Sequence, residues 1–300
     1  MPETAPTVFS GESGAISAGA LYAAIHNWKI TKKADNQAVV DSATSGGTTR
    51  LGGNTDWSGS FMADGYPTAA LLAGDVAFIG SIDNVKGCSG AIIVDSVRVN
   101  YDIAAGAPVT HEVSFSGNGT LTLGAAVAAD ASVADPVPSL GVVVSLAPPA
   151  AVPVPVELAQ VQTITLEFKR ANQAYSDSSS AGYTKRKRGP LDWSLSMKVS
   201  PDSNTGNAAY GLEGLPQPKD VRGITIEDAN GDTYLLDWGI FGEISDVEVN
   251  RETQGIVSCT LTADMCGTTI LMIGEEPPVA TPTLGSITDP AEAVVWPEGA

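Results

Sequence analysis

Apolar and polar residues alternate along this chain in short runs, and each run ends at glycine, proline, asparagine or aspartate. That is the pattern of half-buried β-strands joined by turns. Asn27-Trp28-Lys29-Ile30-Thr31 reads as a strand, and Trp57 to Met62 resumes the alternation after a Gly/Ser/Thr/Asp-rich loop over 41–56. Gly65-Tyr66-Pro67 breaks it, Thr68 to Leu72 fits a short helix before Gly74-Asp75, and Val76 to Ile79 is a strand. Asp83-Asn84 and Gly87 supply turn chemistry. The runs Ala91–Tyr101 and Val109–Phe115, the tight turn Gly117-Asn118-Gly119 and Thr120–Leu123 then close a first β unit. Residues 124–160 shift to Ala, Val and Pro with few charges, a semi-extended connector with one strand over Gly141–Ser145. Shifted back by the repeat described below, that strand falls near Val8-Phe9. From Val161 to Phe168 the alternation returns. Ile224–Asp228 and Thr233–Leu236 flank Asn230-Gly231, a hairpin signal. Val247–Asn250 echoes Val97–Asn100, and Val257-Ser258 echoes Val113-Ser114.

These runs occur twice because the chain repeats itself. Lys33–Ser60 laid over Lys169–Ser196 without a gap gives 14 identities in 28 positions. Chance from average usage gives roughly one in fifteen to twenty. The matched positions include Asn36/Asn172, Asp41/Asp177, Gly46/Gly182, Thr48/Thr184, Arg50/Arg186, Gly53/Gly189, Asp56/Asp192 and Trp57/Trp193. A period this long implies two copies of one folded unit rather than a solenoid. The expected fold is mainly β: two tandem, duplicated β-sandwich or barrel domains, each with a long loop and room for one short helix. The divisions are 1–125, a 126–160 connector contributing a strand, 161–274, and an acidic, proline-containing tail over 275–300.

Charge narrows the function. Sixteen Lys and Arg stand against 34 Asp and Glu, a net of −18. A surface of that sign opposes general binding to nucleic acid or anionic membranes, which a basic face would supply. The three cysteines, Cys88, Cys259 and Cys266, are odd in number and lack C-x-x-C spacing, so a disulfide framework is not expected. The amino-terminal residues carry no charged and apolar export pattern, and no apolar run reaches the length of a membrane span.

Candidate chemistry is sparse. The only histidines are His26 and His111, and the pattern brings no further ligand types to either. No G-x-S-x-G elbow, P-loop or G-x-G-x-x-G is present. Asp228-Ala229-Asn230-Gly231-Asp232 has the start of a calcium loop without its remaining positions, so it reads as a turn. Asp56-Trp57-Ser58 and Asp192-Trp193-Ser194 could suggest a reaction centre. Duplicated core anchors, Trp57 and Trp193, explain them more simply. No enzyme activity, cofactor or metal is therefore expected. Lys185-Arg186-Lys187-Arg188 is the local anomaly, four cations in an acidic chain where the first copy has only Arg50. It fits a contact with an acidic neighbouring subunit or the acidic tail, a solvated loop, or a weak nucleic-acid contact.

Asn27–Thr31, the Gly-rich loop, Asp56-Trp57-Ser58-Gly59-Ser60-Phe61, Gly74-Asp75 and the Asn118-Gly119 turn resemble the tail tube (major tail) proteins of long-tailed bacteriophages, in a tandem-domain form. The likeness covers residues 8–123 and, more weakly, 140–274. It implies a β-sandwich or barrel with one flanking helix and a long loop reaching a neighbour, at 41–56 and again at 177–192. It implies a virion structural protein made in the host cytoplasm, whose rings stack into a tube through which DNA passes without specific binding. Two units per chain would let a trimer make a pseudo-sixfold ring. Tape-measure, tail-terminator and distal tail proteins would be the other partners. Arg50 and Lys185–Arg188 become candidate inter-subunit contacts. A capsid decoration or head-tail connector role, and a surface-layer-like module, are the alternatives.

Overall fold

The computed structural model describes residues 14–19, 21–22, 25–39, 48–82, 86–124, 136–147, 156–158, 160–200, 218–227, 236–237, 240–250, 258–265 and 272–273. The first copy runs β1 (Ala15–Ala18), β2 (Leu21–Tyr22), β3 (Ile25–Ala34), β4 (Gln37–Val39), β5 (Thr49–Leu51), β6 (Thr55–Asp64), α1 (Ala69–Ala73), β7 (Asp75–Ser81), β8 (Gly87–Asp102), β9 (Thr110–Gly117) and β10 (Thr122–Leu123). The second runs β11 (Val143–Ala147), β12 (Val156–Glu157), β13 (Val161–Arg170), β14 (Gln173–Tyr175), β15 (Lys185–Lys187), β16 (Leu191–Val199), β17 (Val221–Glu227), β18 (Leu236–Asp237), β19 (Ile240–Asn250), β20 (Ser258–Met265) and β21 (Met272–Ile273). Fifteen of these strands form one antiparallel sheet, with no closed barrel among the described strands. Among the described residues no helix is long and apolar enough to cross a membrane.

The sixteen-residue β8 organises the first copy. Its first half pairs with β7, and from Ile92 onward it pairs with β9. The sheet therefore folds over on itself and encloses an apolar layer. Phe115 on β9 sits at the centre of that layer. Its ring centroid lies 4.8 Å from Phe78, 6.2 Å from Trp57 and 6.4 Å from Phe61. Helix α1 is held at its ends by Thr68, whose hydroxyl accepts from Leu71 N, and by Gly74, which takes φ 97° and donates to Ala70 O. It buries Leu71 and Leu72. A matching helix in the second copy would fall at 201–217, outside the described residues.

The duplication extends to register. β3, β4, β5 and β6 recur as β13, β14, β15 and β16, each beginning 136 residues later. The β3–β6 ladder slips between Ile25 and Asn27, and the β13–β16 ladder slips between Val161 and Thr163. The β8–β9 ladder slips between Val94 and Ser96, and β19–β20 between Ile244 and Asp246. Bulges are local backbone devices, so their recurrence at matching sites marks one unit built twice. Two expectations need correction. Asn100↔Thr110 corresponds to Asn250↔Ser258, so Leu261, and not Val257, occupies the place of Val113. The connector strand pairs with β17, Val143 opposite Glu227, as β1 pairs with β7, Ala15 opposite Ser81. It is thus the counterpart of β1 and not of Val8-Phe9, which lie outside the described residues. β17 also pairs antiparallel with β19, the long strand that follows it, Ile224 opposite Ile240, and the Asn230-Gly231 turn expected between alternating runs lies outside the described residues.

His111 is wholly buried on β9, its Nδ1 2.8 Å from Gly65 O. Burial holds its pKa below the usual 6.5, against the pull of the Gly65 carbonyl and Asp64. The unfolded chain therefore binds the proton first. Stability is at its full value above pH 6.5 and falls as the pH drops from there toward the depressed folded pKa. A His111→Gln variant should lose that part of the pH dependence when melting temperatures at pH 7.5 and 5.5 are compared.

Candidate assembly site where one copy grips the other

The two copies are joined edge to edge. β13 adds antiparallel to β8, from Thr163 opposite Asp102 to Lys169 opposite Ser96. Arg98 Nη2 lies 3.1 Å from Glu167 Oε1 directly across this seam, and Lys169 Nζ lies 2.9 Å from Glu167 Oε2. Burial alone would push the Glu167 carboxyl up, but Lys169 and Arg98 hold it below the usual carboxylate range.

The loop following β13 then reaches over the first copy. Asp177 caps a single 3-10 turn over Ser178–Ser180, accepting from Ser179 N at 2.9 Å, and Ser180 Oγ accepts in return from Asp177 N at 2.8 Å. Ala181 and Gly182 follow at positive φ and turn the chain toward β6. Thr55 N donates to Gly182 O at 2.7 Å, Thr184 N donates to Thr55 O at 2.9 Å, and Gly119 N donates to Thr184 O at 3.1 Å. Lys32 Nζ lies 5.6 Å from the centre of the Tyr183 ring.

Arg186 is the centre of this contact. Its two terminal nitrogens reach Asp56 Oδ1 at 2.8 Å and Oδ2 at 2.7 Å, the two-pronged geometry of a strong charge pair. Nη1 also donates to Gly117 O at 2.6 Å, and the Arg186 backbone N–H donates to Asn118 Oδ1 at 2.9 Å. The Arg186 side chain is 11% exposed. Its hydrogen bond holds the Asp56 carboxyl below the usual range, with Trp57 N and Lys33 helping. Asn172 ties the loop's base to the β8 bulge, donating to Val94 O at 3.0 Å and Asp95 Oδ1 at 2.8 Å while accepting from Gly189 N at 3.1 Å. Arg188 and Arg170 donate to the last carbonyls of α1, Ala73 O at 2.7 Å and Leu72 O at 2.5 Å, where the helix end favours cations.

The four-cation run is thus mostly used inside the chain. Arg186 and Arg188 bind the first copy, and Lys185 turns back to Ser179 Oγ at 2.8 Å. Lys187 is exposed. Arg50 sits on β5 opposite Ala38, as Arg186 sits on β15 opposite Ala174. Trp57 and Trp193 are each 2% exposed. The Trp57 indole N–H donates to Gly119 O at 2.8 Å, whereas Trp193 Nε1 is buried without a partner among the described residues. Gly53 and Gly189 recur for a steric reason. A Cβ there would collide with the carbonyl oxygens of Asp35 and Ala171 respectively. Gly189→Ala should therefore cost about 2 kcal/mol by forced backbone movement and loosen the loop, read as a lower melting temperature.

No family model matches this chain, and no curated protein matches it. Among solved structures, 12 chains match. One comes from the virion of a native gene transfer agent particle. It is 14% identical, with a TM-score of 0.33, over 39% of this chain and all of that one. A likeness of that size says nothing about role.

The second copy presents the same seat, and among the described residues nothing docks on it as Gly182–Arg186 dock on the first. A cleft bounded by Lys169, Arg170, Pro190, Leu191, Asp192 and Met265 opens beside β16. The residues 136 earlier are Lys33, Ala34, Asn54, Thr55 and Asp56, the place where Gly182–Arg186 dock on the first copy. Asp192 Oδ1 accepts from Trp193 N at 2.9 Å, as Asp56 Oδ1 accepts from Trp57 N at 2.9 Å. Among the described residues, no segment pairs with Leu191 as Gly182–Thr184 pair with Thr55.

Proposed function

We propose that this chain is a structural virion protein whose copies join head to tail into rings, and that the rings stack into a phage tail tube. The observation that carries the reading is the junction inside the chain. Strand and loop of one unit grip the edge and loop seat of its duplicate, two different surfaces of the same kind of unit, so the contact is heterologous. A heterologous contact, repeated, generates a ring or a helical tube. The resemblance to tail tube proteins points to the tube, and the three-chain, pseudo-sixfold ring follows from two units per chain. The net charge of −18 suits an acidic lumen, because phosphates need cations to bind and DNA would pass without sticking. In this reading the chain does no chemistry, and its partners are its own copies and the other tail proteins.

Electron micrographs of the purified protein and antibody labelling of particles test the reading. Rings or tubes with a central channel, labelled along a tail, are expected. A shell-surface location on the capsid would overturn it in favour of a decoration role.

A further inference from the structure

The junction has a donor half and an acceptor half, and each copy of the unit carries both. One half of each kind is therefore left over. The used donor is β13 with its loop, and its counterpart is β3, which among the described residues pairs only with β6. The used acceptor is β8 from Ser96 onward with the seat at Asp56. Its counterpart is β19 over Asp246–Asn250, which among the described residues pairs there with β20 alone, together with the cleft at Asp192.

We propose that β3 of one copy of this chain adds antiparallel to β19 of the next, in the register that β13 adopts on β8. The proposal rests on the self-assembly reading above and specifies its contact. Lys169↔Ser96, Glu167↔Arg98 and Thr165↔Asn100 inside the chain become Lys33↔Asp246, Thr31↔Glu248 and Lys29↔Asn250 between chains. The same step places Asn36 at the bulge beside Ser245 and Arg50 beside Asp192, as Asn172 stands at Asp95 and Arg186 at Asp56.

Charge supports this register independently. β3 carries Lys29, Lys32 and Lys33 and no acid, and β19 carries Glu243, Asp246 and Glu248 and no base. Lys29, Lys33 and Asp246 are exposed. Opposite charges facing across a ladder stabilise it, and like charges oppose it. At its one directly opposed charged pair the inner junction has the reverse polarity, with Arg98 on the acceptor and Glu167 on the donor. Exchanging partners would set the β3 lysines around Arg98, or would set Glu167 against Glu248 while bringing Lys169 opposite Asp246. The unlike charges at Arg98 and Glu248 therefore favour Glu167 on the first and disfavour it on the second, one way in which similar interfaces are kept apart. Lysines on an open edge also discourage pairing with unrelated strands.

Directly opposed residues in an antiparallel ladder have Cα atoms about 4.5–5.5 Å apart, within disulfide reach. The test mixes a Lys33→Cys preparation with an Asp246→Cys preparation under mild oxidation and reads non-reducing gels beside micrographs. A covalent dimer in the mixture, absent from either preparation alone and from Lys33→Cys mixed with Asn250→Cys, is expected. Lys33→Glu should abolish assembly, and Lys33→Glu combined with Asp246→Lys should restore it. Rings without the cross-link or the charge-swap rescue would overturn the β3–β19 pairing and leave the tube reading standing. Single, uncross-linked particles for the unaltered chain at every concentration would overturn both.

Discussion

Replacing Phe115 with alanine is expected to lower stability by about 3–5 kcal/mol, the range for removing a buried aromatic ring. Phe115 is 1% exposed and its ring meets Trp57, Phe61 and Phe78 from both walls of the folded sheet. No single neighbour can close the space it leaves. Whole-domain stabilities are about 5–15 kcal/mol, so a loss of this size consumes a large share of the total. The melting temperature should fall by roughly 6–20 °C, at about 2–4 °C per kcal/mol for a chain of this order of size. Leu123→Ala is the control, since that side chain is 73% exposed and its removal should change stability by about 0.5 kcal/mol or less. A Phe115→Ala variant that melts with the parent would mean that the layer repacks. The place equivalent to Phe115 in the second copy holds Ala263, and that of Phe61 holds Met197, so these two rings of the cluster have no counterpart there.

That contrast explains what could be read from the chain alone. The strands were legible because alternation survives substitution: β16 reads buried at Trp193, Leu195, Met197 and Val199 whatever the apolar residue. Helix α1 was legible through Thr68 and Gly74, whose cap chemistry is local. Register was not, because a loop of altered length moves every later match, and the similarity of Val257-Ser258 to Val113-Ser114 misplaced β20 by four residues. The sheet's partner choice was also hidden. Asn-Gly between alternating runs marks a turn from a few residues, but nothing local shows that β17 takes β11, well before it in the chain, as its other neighbour. The candidate site was half legible. The cation run stood out against an acidic background. Its target did not, because Asp56 was read beside Trp57 as part of a strand start, and only the fold brings it to Arg186, 130 residues away. The repeat itself held the clue: Asn172, Gly182, Thr184, Arg186, Gly189 and Asp56 are all identities between the copies, and all take part in the junction.

The two equivalent aspartates should therefore behave differently. Asp56→Ala removes the only carboxylate bound by a guanidinium that is 11% exposed. Arg186 would keep the Gly117 carbonyl but face a largely dry pocket with its charge unmatched, and Trp57 N would lose its acceptor. Stripping a fully buried ion of its partner costs about 3–5 kcal/mol. Asp56 is 42% exposed, so water screens part of the pair, and about 2–3 kcal/mol is expected. Arg186→Ala should cost less, about 1–2 kcal/mol, because the orphaned Asp56 can hydrate. A double-mutant cycle between the two should return a coupling of roughly 1–2 kcal/mol. Asp56 has its pKa held down by Arg186, so the pair's contribution is present above the unfolded value of 3.8 and is lost as the pH falls through the lower folded value. Asp192→Ala loses only the hydrogen bond from Trp193 N and should cost the isolated chain about 1 kcal/mol or less. Its effect should appear in the proposed assembly, with sedimentation showing single chains under conditions in which the parent is expected to associate. Equal destabilisation of the isolated chain by both substitutions would mean that Asp192 already has a cationic partner within its own chain. The empty seat, and with it the asymmetry between used and unused halves of the junction, would then be wrong.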